Sequence, residues 1–290
     1  MKYRVDNAII MAAGTASRFA PLSYEKPKAL IEVRGEVLIE RQIRQLKAAG
    51  IEKIFLVVGY KKEQFEYLTQ KYGVVLIENK EYRIRNNHSS IYAVKDYLKN
   101  SYVCSSDNYF IENPFENYVE DAYYAAVFAG GETKEWCMTE GADGCIDHVT
   151  IGGKHAWYML GHTFWTEEFS RKFIEILEKI YEEPDTQNLL WESVFMKHLD
   201  ELKMKIRRYP ENYIFEFDTL DELREFDKSY VEDTRSDILK RVAEKLKCEE
   251  RDMKEITSFK DKDNEAAGCR FRVENQRFEY NYETEELRRI

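Results

Sequence analysis

Short apolar runs alternate with amphipathic stretches through the first part of the chain. Residues 8–11 (AIIM), 54–60 (IFLVVGY) and 73–79 (GVVLIEN) are compact apolar segments bounded by small or polar residues, the pattern of strands buried on both faces. Between them, residues 37–49 place Leu38, Ile39, Ile43 and Leu46 at helical spacing and stop at Gly50. A charged helical stretch follows over 61–71, and another helix is expected over 89–98. Strand and helix alternating across short connections predict βαβ units and a mostly parallel sheet. A further strand in SYVCSSDNYF runs into a polar turn at 105–108.

Past residue 120 the pattern changes. YYAAVFA, EWCMTEG, HVTIGG and AWYMLG read as short β segments, an antiparallel insertion against the parallel sheet. Residues 169–183 form an amphipathic helix ending near Pro184, and another begins at 188. YIFEFDTLDELREF combines a strand with the start of a helix. From Thr234 the composition shifts: DILKRVAEKLKC reads as a charged amphipathic helix, EERDMKEIT as a short helical piece, and CRFRVENQRFEYNYE as two strands around residues 274–276. This gives a main domain over 1–232 and an appendage over 233–290. The appendage holds few Leu, Ile or Val, so it must pack on the main domain or on another chain, and a homodimer through it is one expectation.

Composition narrows the function. The 290 residues carry 44 Lys+Arg against 54 Asp+Glu, a net charge of −10, which argues against nucleic acid as the main partner. No apolar run reaches the roughly 20 residues of a membrane span, and MKYRVDN lacks the apolar core of a secretion signal. Five cysteines form no CxxC pair, and the histidines no HExxH spacing. The expectation is a reduced, cytoplasmic protein without membrane insertion, disulfides or structural zinc.

The chemistry concentrates in residues 11–28, MAAGTASRFAPLSYEKPK. A strand ending in small residues lets a nucleotide lie against the backbone, and amides of the following turn can cradle phosphate oxygens. Arg18 and Lys28 supply a guanidinium fork and a point charge for a triphosphate. The bland alternative is a βα turn with two surface cations.

At these residues the chain resembles a family. AAGxxSR, PKAL and LIERQIRQL look like the opening of the nucleoside-triphosphate:sugar-phosphate nucleotidyltransferases. Within them the chain is most similar to the bacterial CTP:phosphocholine cytidylyltransferases, through VGYKKEQFEYLTQKYGV, NNHSSIYAV, NSYVCSSDNYFIENPF, TKEWCMTEG and IFEFDTLDEL. The resemblance covers about residues 7–228. It departs at Ala16, where the phosphate loop has a second glycine, and at Leu190, where an aromatic would suit a choline pocket.

The resemblance implies a Rossmann-like, three-layer α/β fold with a mixed, mostly parallel sheet and a small C-terminal α+β appendage. It implies transfer of CMP from CTP to phosphocholine, giving CDP-choline and pyrophosphate, for cell-surface decoration. Ala12, Ala13, Gly14 and Thr15 would contact the nucleotide, as would Asn87, Ser89 and Ser90. Arg18 and Lys28 would hold the triphosphate, and Asp107 and Asp218 a Mg²⁺. Both carboxylates also follow expected strands, whose carboxyl ends line the ligand crevice of open α/β sheets, and Mg²⁺ takes one or two carboxylates plus phosphate oxygens. The bland readings are a turn-capping Asp107 and an Asp218 that caps the helix ahead of DELREF.

Trp136, Tyr158, Trp191 and Glu192, with Tyr92, Trp165 and Glu140 behind them, are candidates for enclosing the acceptor's ammonium; core packing is the alternative for each aromatic. The same chemistry on 2-aminoethylphosphonate or phosphoethanolamine is a second reading, a sugar 1-phosphate a third, and a catalytically silent nucleotide-binding module a fourth. The tail also looks like the opening of a choline-kinase-type fold without its catalytic loop, so no kinase activity is implied.

Overall fold

The computed structural model describes residues 2–261 and 266–290. They pack as two compact units, one of residues up to Gly14 with Ile39–Glu216, the other of Thr15–Leu38 with Phe217–Ile290.

The first unit is built on a seven-stranded sheet. Its strands are β1 (Asn7–Ala12), β2 (Ile54–Val58), β3 (Val75–Glu78), β4 (Ser101–Ser105), β6 (Tyr123–Glu140), β7 (Ile146–Trp165) and β8 (Lys205–Tyr209), in spatial order β8-β6-β7-β4-β1-β2-β3. A short β5 (Asn108–Phe110) pairs outside this sheet with β9 (Ile214–Glu216). Pairing is parallel from β4 through β1 and β2 to β3 and between β6 and β8, while β7 runs antiparallel to β6 and β4. The apolar runs read from sequence fall on its centre: Ile9, Ile10, Leu56 and Val57 are wholly buried. Helix α1 (Leu38–Ala48) buries Ile39, Ile43 and Leu46. It ends where Gly50, at φ +83°, donates to the Lys47 carbonyl and Ile51 to that of Leu46, a Schellman stop that suits glycine.

Local structure differs from expectation in five places. The stretch 61–71 is a 3₁₀ turn (Lys62–Phe65) followed by α2 (Tyr67–Tyr72), and 89–98 is α3 (His88–Ala93) followed by a second 3₁₀ turn (Lys95–Tyr97). The four short segments after residue 120 merge into two long strands, β6 and β7. Their pairing register shifts repeatedly, so that Cys137 faces both Thr150 and Tyr158, and these bulges break the alternation by which one strand is recognised. The helix at 188 begins later, as α5 (Trp191–Lys197), after α4 (Glu167–Ile180).

The fifth difference lies in the second unit. Only Glu250–Asp252 of EERDMKEIT is helical, as a 3₁₀ turn; Met253–Lys260 is a strand, β10. With β11 (Ala266–Val273), β12 (Gln276–Asn281) and β13 (Leu287–Arg289) it forms a four-stranded antiparallel sheet in chain order. Met253 and Ile256 alternate with exposed residues by the interposed bulge, which gave the segment its helical look. Met253, Ile256, Cys269, Phe271 and Tyr280 form the buried face, and helix α7 (Asp237–Leu246) buries Ile238, Leu239 and Val242. Aromatic rings stand in for the missing aliphatics. Residues 15–38 pack in the same unit: Tyr24 stacks on Tyr282 at 4.2 Å, and Tyr230 Oη donates to the Glu32 carbonyl at 2.6 Å. The boundary expected at 232/233 does not coincide with the edge of this unit.

Candidate functional site

In the second unit, three charged residues picked from sequence meet. Arg18 lies in a 3₁₀ turn (Ser17–Phe19) and Lys28 in another (Lys28–Leu30) behind Pro27. Asp218 follows Phe217 and precedes helix α6 (Leu220–Phe226). Arg18 Nη1 stands 2.7 Å from Asp218 Oδ2, and Lys28 Nζ 3.8 Å from Oδ1. Lys28 is only 7% exposed, so its charge is held largely out of water beside the carboxylate. Asp218 is not the helix cap. Thr219 takes that role, accepting from Glu222 N at 3.2 Å, while Glu222 Oε2 accepts from the backbone of Asp218 and Thr219 in return. The Asp218 carboxylate is thereby left to its cations.

In the first unit, β1 delivers Ala12 and Ala13, both buried, to Gly14. A Cβ at Gly14 would meet no protein atom within 4 Å, so packing does not demand glycine there. Asp107 occupies the turn between β4 and β5. Its neighbour Asn108 donates from Nδ2 to Glu216 Oε2 at 3.2 Å across the β5–β9 pair.

Ser89 and Ser90 on α3 are buried, and their hydroxyls accept from Asn79 Nδ2 at 2.8 and 3.1 Å. Around them, residues 85–88 are laced to 181–192. Arg85 donates to the Tyr181 carbonyl, Asn86 N to that of Gln187, and buried His88 Nδ1 pairs with that of Leu189 at 2.6 Å. Asn87 Oδ1 accepts from Trp191 N at 2.7 Å, and Asn87 Nδ2 donates to Glu192 Oε2 at 3.1 Å. Glu192 also accepts from Tyr124 Oη at 3.4 Å. Burial pushes its carboxyl up to about 7, against the pull of those donors.

The four residues proposed for the acceptor therefore differ in setting. Trp191 is 2% exposed, stacked on Tyr124 at 5.7 Å and edge-on to Trp165, a core position. Trp136 and Tyr158 are half-buried on β6 and β7. Burial, then the nearby Glu135, Glu211 and Glu216, push the Tyr158 hydroxyl up. Tyr124 and Glu216 were not singled out from sequence. Glu216 lies two positions before Asp218 in FEFDT, and that nearness in the motif is the signal that could have found it.

Residues 8–191 match the family described as the MobA-like NTP transferase domain. This chain belongs to that family. A choline-phosphate cytidylyltransferase from Streptococcus pneumoniae is 36% identical over 221 residues, 76% of this chain and 96% of that protein. A 2-aminoethylphosphonate cytidylyltransferase from Lancefieldella rimae is 37% identical over 229 residues, 78% of this chain and 93% of that protein. The solved CTP:phosphocholine cytidylyltransferase from Streptococcus pneumoniae superposes with a TM-score of 0.74 at 36% identity, covering 78% of this chain and 99% of the other. The chain is a nucleotidyltransferase with the Rossmann-like fold of that class, and its C-terminal strands are extra.

Within this nucleotidyltransferase the glycine departure acquires a geometry. Ala16 sits at φ 47°, ψ 45°, the left-handed region that glycine enters freely and alanine at a cost of roughly 1–2 kcal/mol. The loop keeps the backbone that a glycine would take, with a methyl group added.

Proposed function

We propose that the chain transfers CMP from CTP to phosphocholine, releasing pyrophosphate. The observation that carries this reading is the joining of Arg18 and Lys28 to Asp218 in a chain 36% identical to a choline-phosphate cytidylyltransferase over most of its length. An acceptor phosphate oxygen attacks the α-phosphorus of CTP in line as the bond to the pyrophosphate oxygen breaks. The acceptor is already anionic, so no general base or protein nucleophile is required. Arg18 and Lys28 bind the triphosphate and neutralise charge that grows on the leaving pyrophosphate. Gly14, open on its Cα side, lets the nucleotide approach the backbone, with Ala12, Ala13 and Thr15 beside it.

Asp107 and Asp218 are each a hard oxygen donor of the kind that suits Mg²⁺, and each is a proposed ligand, with phosphate oxygens as the metal's other donors. When bound, the metal would offset triphosphate charge. Asp218 would then exchange its ion pairs for the metal, freeing Arg18 and Lys28 for phosphate.

Trp136 and Tyr158 offer ring faces to a trimethylammonium, and Glu192 a carboxylate. The second reading is the same transfer to 2-aminoethylphosphonate, favoured by the 37% identical relative and by Leu190, an aliphatic residue beside Trp191. Pyrophosphate release from CTP, measured with phosphocholine, phosphoethanolamine, 2-aminoethylphosphonate and glucose 1-phosphate, tests both. Turnover of phosphocholine above the others supports the first, and no turnover with any of them removes both.

A further inference from the structure

The C-terminal strands have no counterpart in the pneumococcal fold, which is covered almost entirely by 78% of this chain. Their packing is specific. Arg224, on the helix that starts beside Asp218, is 4% exposed and spends its guanidinium on this tail: Nη1 donates to the Met253 carbonyl at 2.7 Å and Nη2 to that of Glu250 at 2.8 Å. Asp221, on the same helix, accepts from Glu255 N at 3.1 Å. The segment that carries Arg18 and Lys28 is tied to the same tail. Tyr24 stacks on Tyr282, and Glu25 Oε1 accepts from Ile238 N at 2.9 Å at the start of α7.

We infer that residues 233–290 are a positioning element for the triphosphate residues, holding the Arg18 and Lys28 segment and the Asp218 helix in one rigid setting through Tyr282, Ile238, Glu250 and Met253. The physical reason is economy of motion. Arg18 is 74% exposed on a short 3₁₀ turn, and two such turns cannot fix a guanidinium and an ammonium against one carboxylate unless their flanks are pinned. The buried fork of Arg224 pins one flank and the Tyr24–Tyr282 stack the other. No residue of the tail need touch substrate.

This rests on the triphosphate reading above, and the test separates the two. In the full chain, Tyr282→Ala removes the stack, and Arg224→Lys keeps a cation but cannot reach two carbonyls in a fork. Each is expected to raise the KM for CTP about tenfold and to leave the KM for the acceptor within twofold. Tyr282→Phe, which keeps the ring, recovers the CTP value relative to Tyr282→Ala. A uniform loss of folded enzyme would lower apparent kcat and move neither KM, so the split is not a stability effect. Should Tyr282→Ala not fold, the same split is read with Tyr282→Leu. Unchanged CTP KM in the folded Tyr282 and Arg224 variants overturns the inference. If Lys28→Ala also leaves CTP use unchanged, the triphosphate reading itself has failed; if Lys28→Ala impairs CTP use and the tail variants do not, only the positioning role is lost.

Discussion

Arg18 and Asp218 form an ion pair at 2.7 Å although they lie far apart in the sequence, and the helix beside Asp218 is capped by Thr219 instead. The charge contacts and the helix cap are thus divided between adjacent residues. Asp218→Asn should lower kcat by orders of magnitude with the helix cap intact, its cost in stability coming from the carboxylate that nearly buried Lys28 loses and not from the exposed Arg18 pair. Thr219→Ala should do the reverse, costing about 1 kcal/mol of stability with activity largely kept. Thermal melts and turnover on the two variants check the division, and near-wild-type turnover in Asp218→Asn removes that residue from the mechanism.

Lys28 is nearly buried beside the same carboxylate. Its contact with phosphate should strengthen as charge shifts to pyrophosphate, so Lys28→Ala should lower kcat by roughly 10²-fold as well as raise the KM for CTP. A change confined to KM would mean the ammonium binds only the ground state.

Glu192 predicts a pH dependence of definite sign. Its carboxyl is pushed from the ordinary 4.5 up to about 7, so the folded state favours the neutral form. Stability therefore falls as pH rises from about 4.5 to about 7 and is level above, by at most about 3 kcal/mol. An ammonium-bearing acceptor wants the ionised form, so kcat/KM for the acceptor should climb as pH passes through about 7, where the folded carboxyl ionises. The acceptor's own phosphate also titrates, with a second pKa near ~6, and the comparison is therefore with Glu192→Gln, which keeps that titration and loses the carboxyl. Identical pH profiles for the two proteins would take Glu192 out of the acceptor site.

Much of this architecture was legible because burial on both faces leaves a plain signature. The strands at 8–11 and 54–60 and the helix ending at Gly50 were readable as such, since apolar periodicity and a C-terminal glycine both report local physics. The long β6–β7 hairpin was not, because repeated bulges break the two-residue period into fragments. The strand at Met253–Lys260 was misread for the same reason. Arg18, Lys28 and Asp218 were picked by motif, and the structure brings those three together. What the sequence could not supply was partnership: that Asn87 spends its carboxamide on Trp191 and Glu192, or that Arg224 reaches into the tail. Both depend on pairs far apart in the chain.

Ala16 offers a test of the phosphate loop. Ala16→Gly removes the left-handed penalty of roughly 1–2 kcal/mol but adds roughly 0.4–1 kcal/mol of unfolded-state entropy, so the net gain in stability should lie between about 0 and about 1.6 kcal/mol. Ala16→Val should be clearly destabilising, since a β-branched side chain tolerates this region worst. Denaturant midpoints check both, and an Ala16→Val protein as stable as wild type would mean the loop does not hold φ 47° in solution.

The head group is decided by what recognises nitrogen. A trimethylammonium has no N–H donor and must be met by ring faces and diffuse negative charge, whereas a primary ammonium offers three donors and wants close oxygen acceptors. Trp136 is half-buried on β6 opposite Ile151 and packs against the core at its edge, unlike Trp191 and Trp165, which lie inside it among other rings. Trp136→Ala should therefore weaken phosphocholine use by about 1–2 kcal/mol in kcat/KM and barely alter the KM for CTP. On 2-aminoethylphosphonate the same change should cost less, because oxygen acceptors and not the ring carry that ligand. If the wild-type enzyme uses 2-aminoethylphosphonate at least tenfold better than phosphocholine, a difference of about 1.4 kcal/mol in transition-state binding, the carboxylates govern the pocket and the phosphonate is its acceptor.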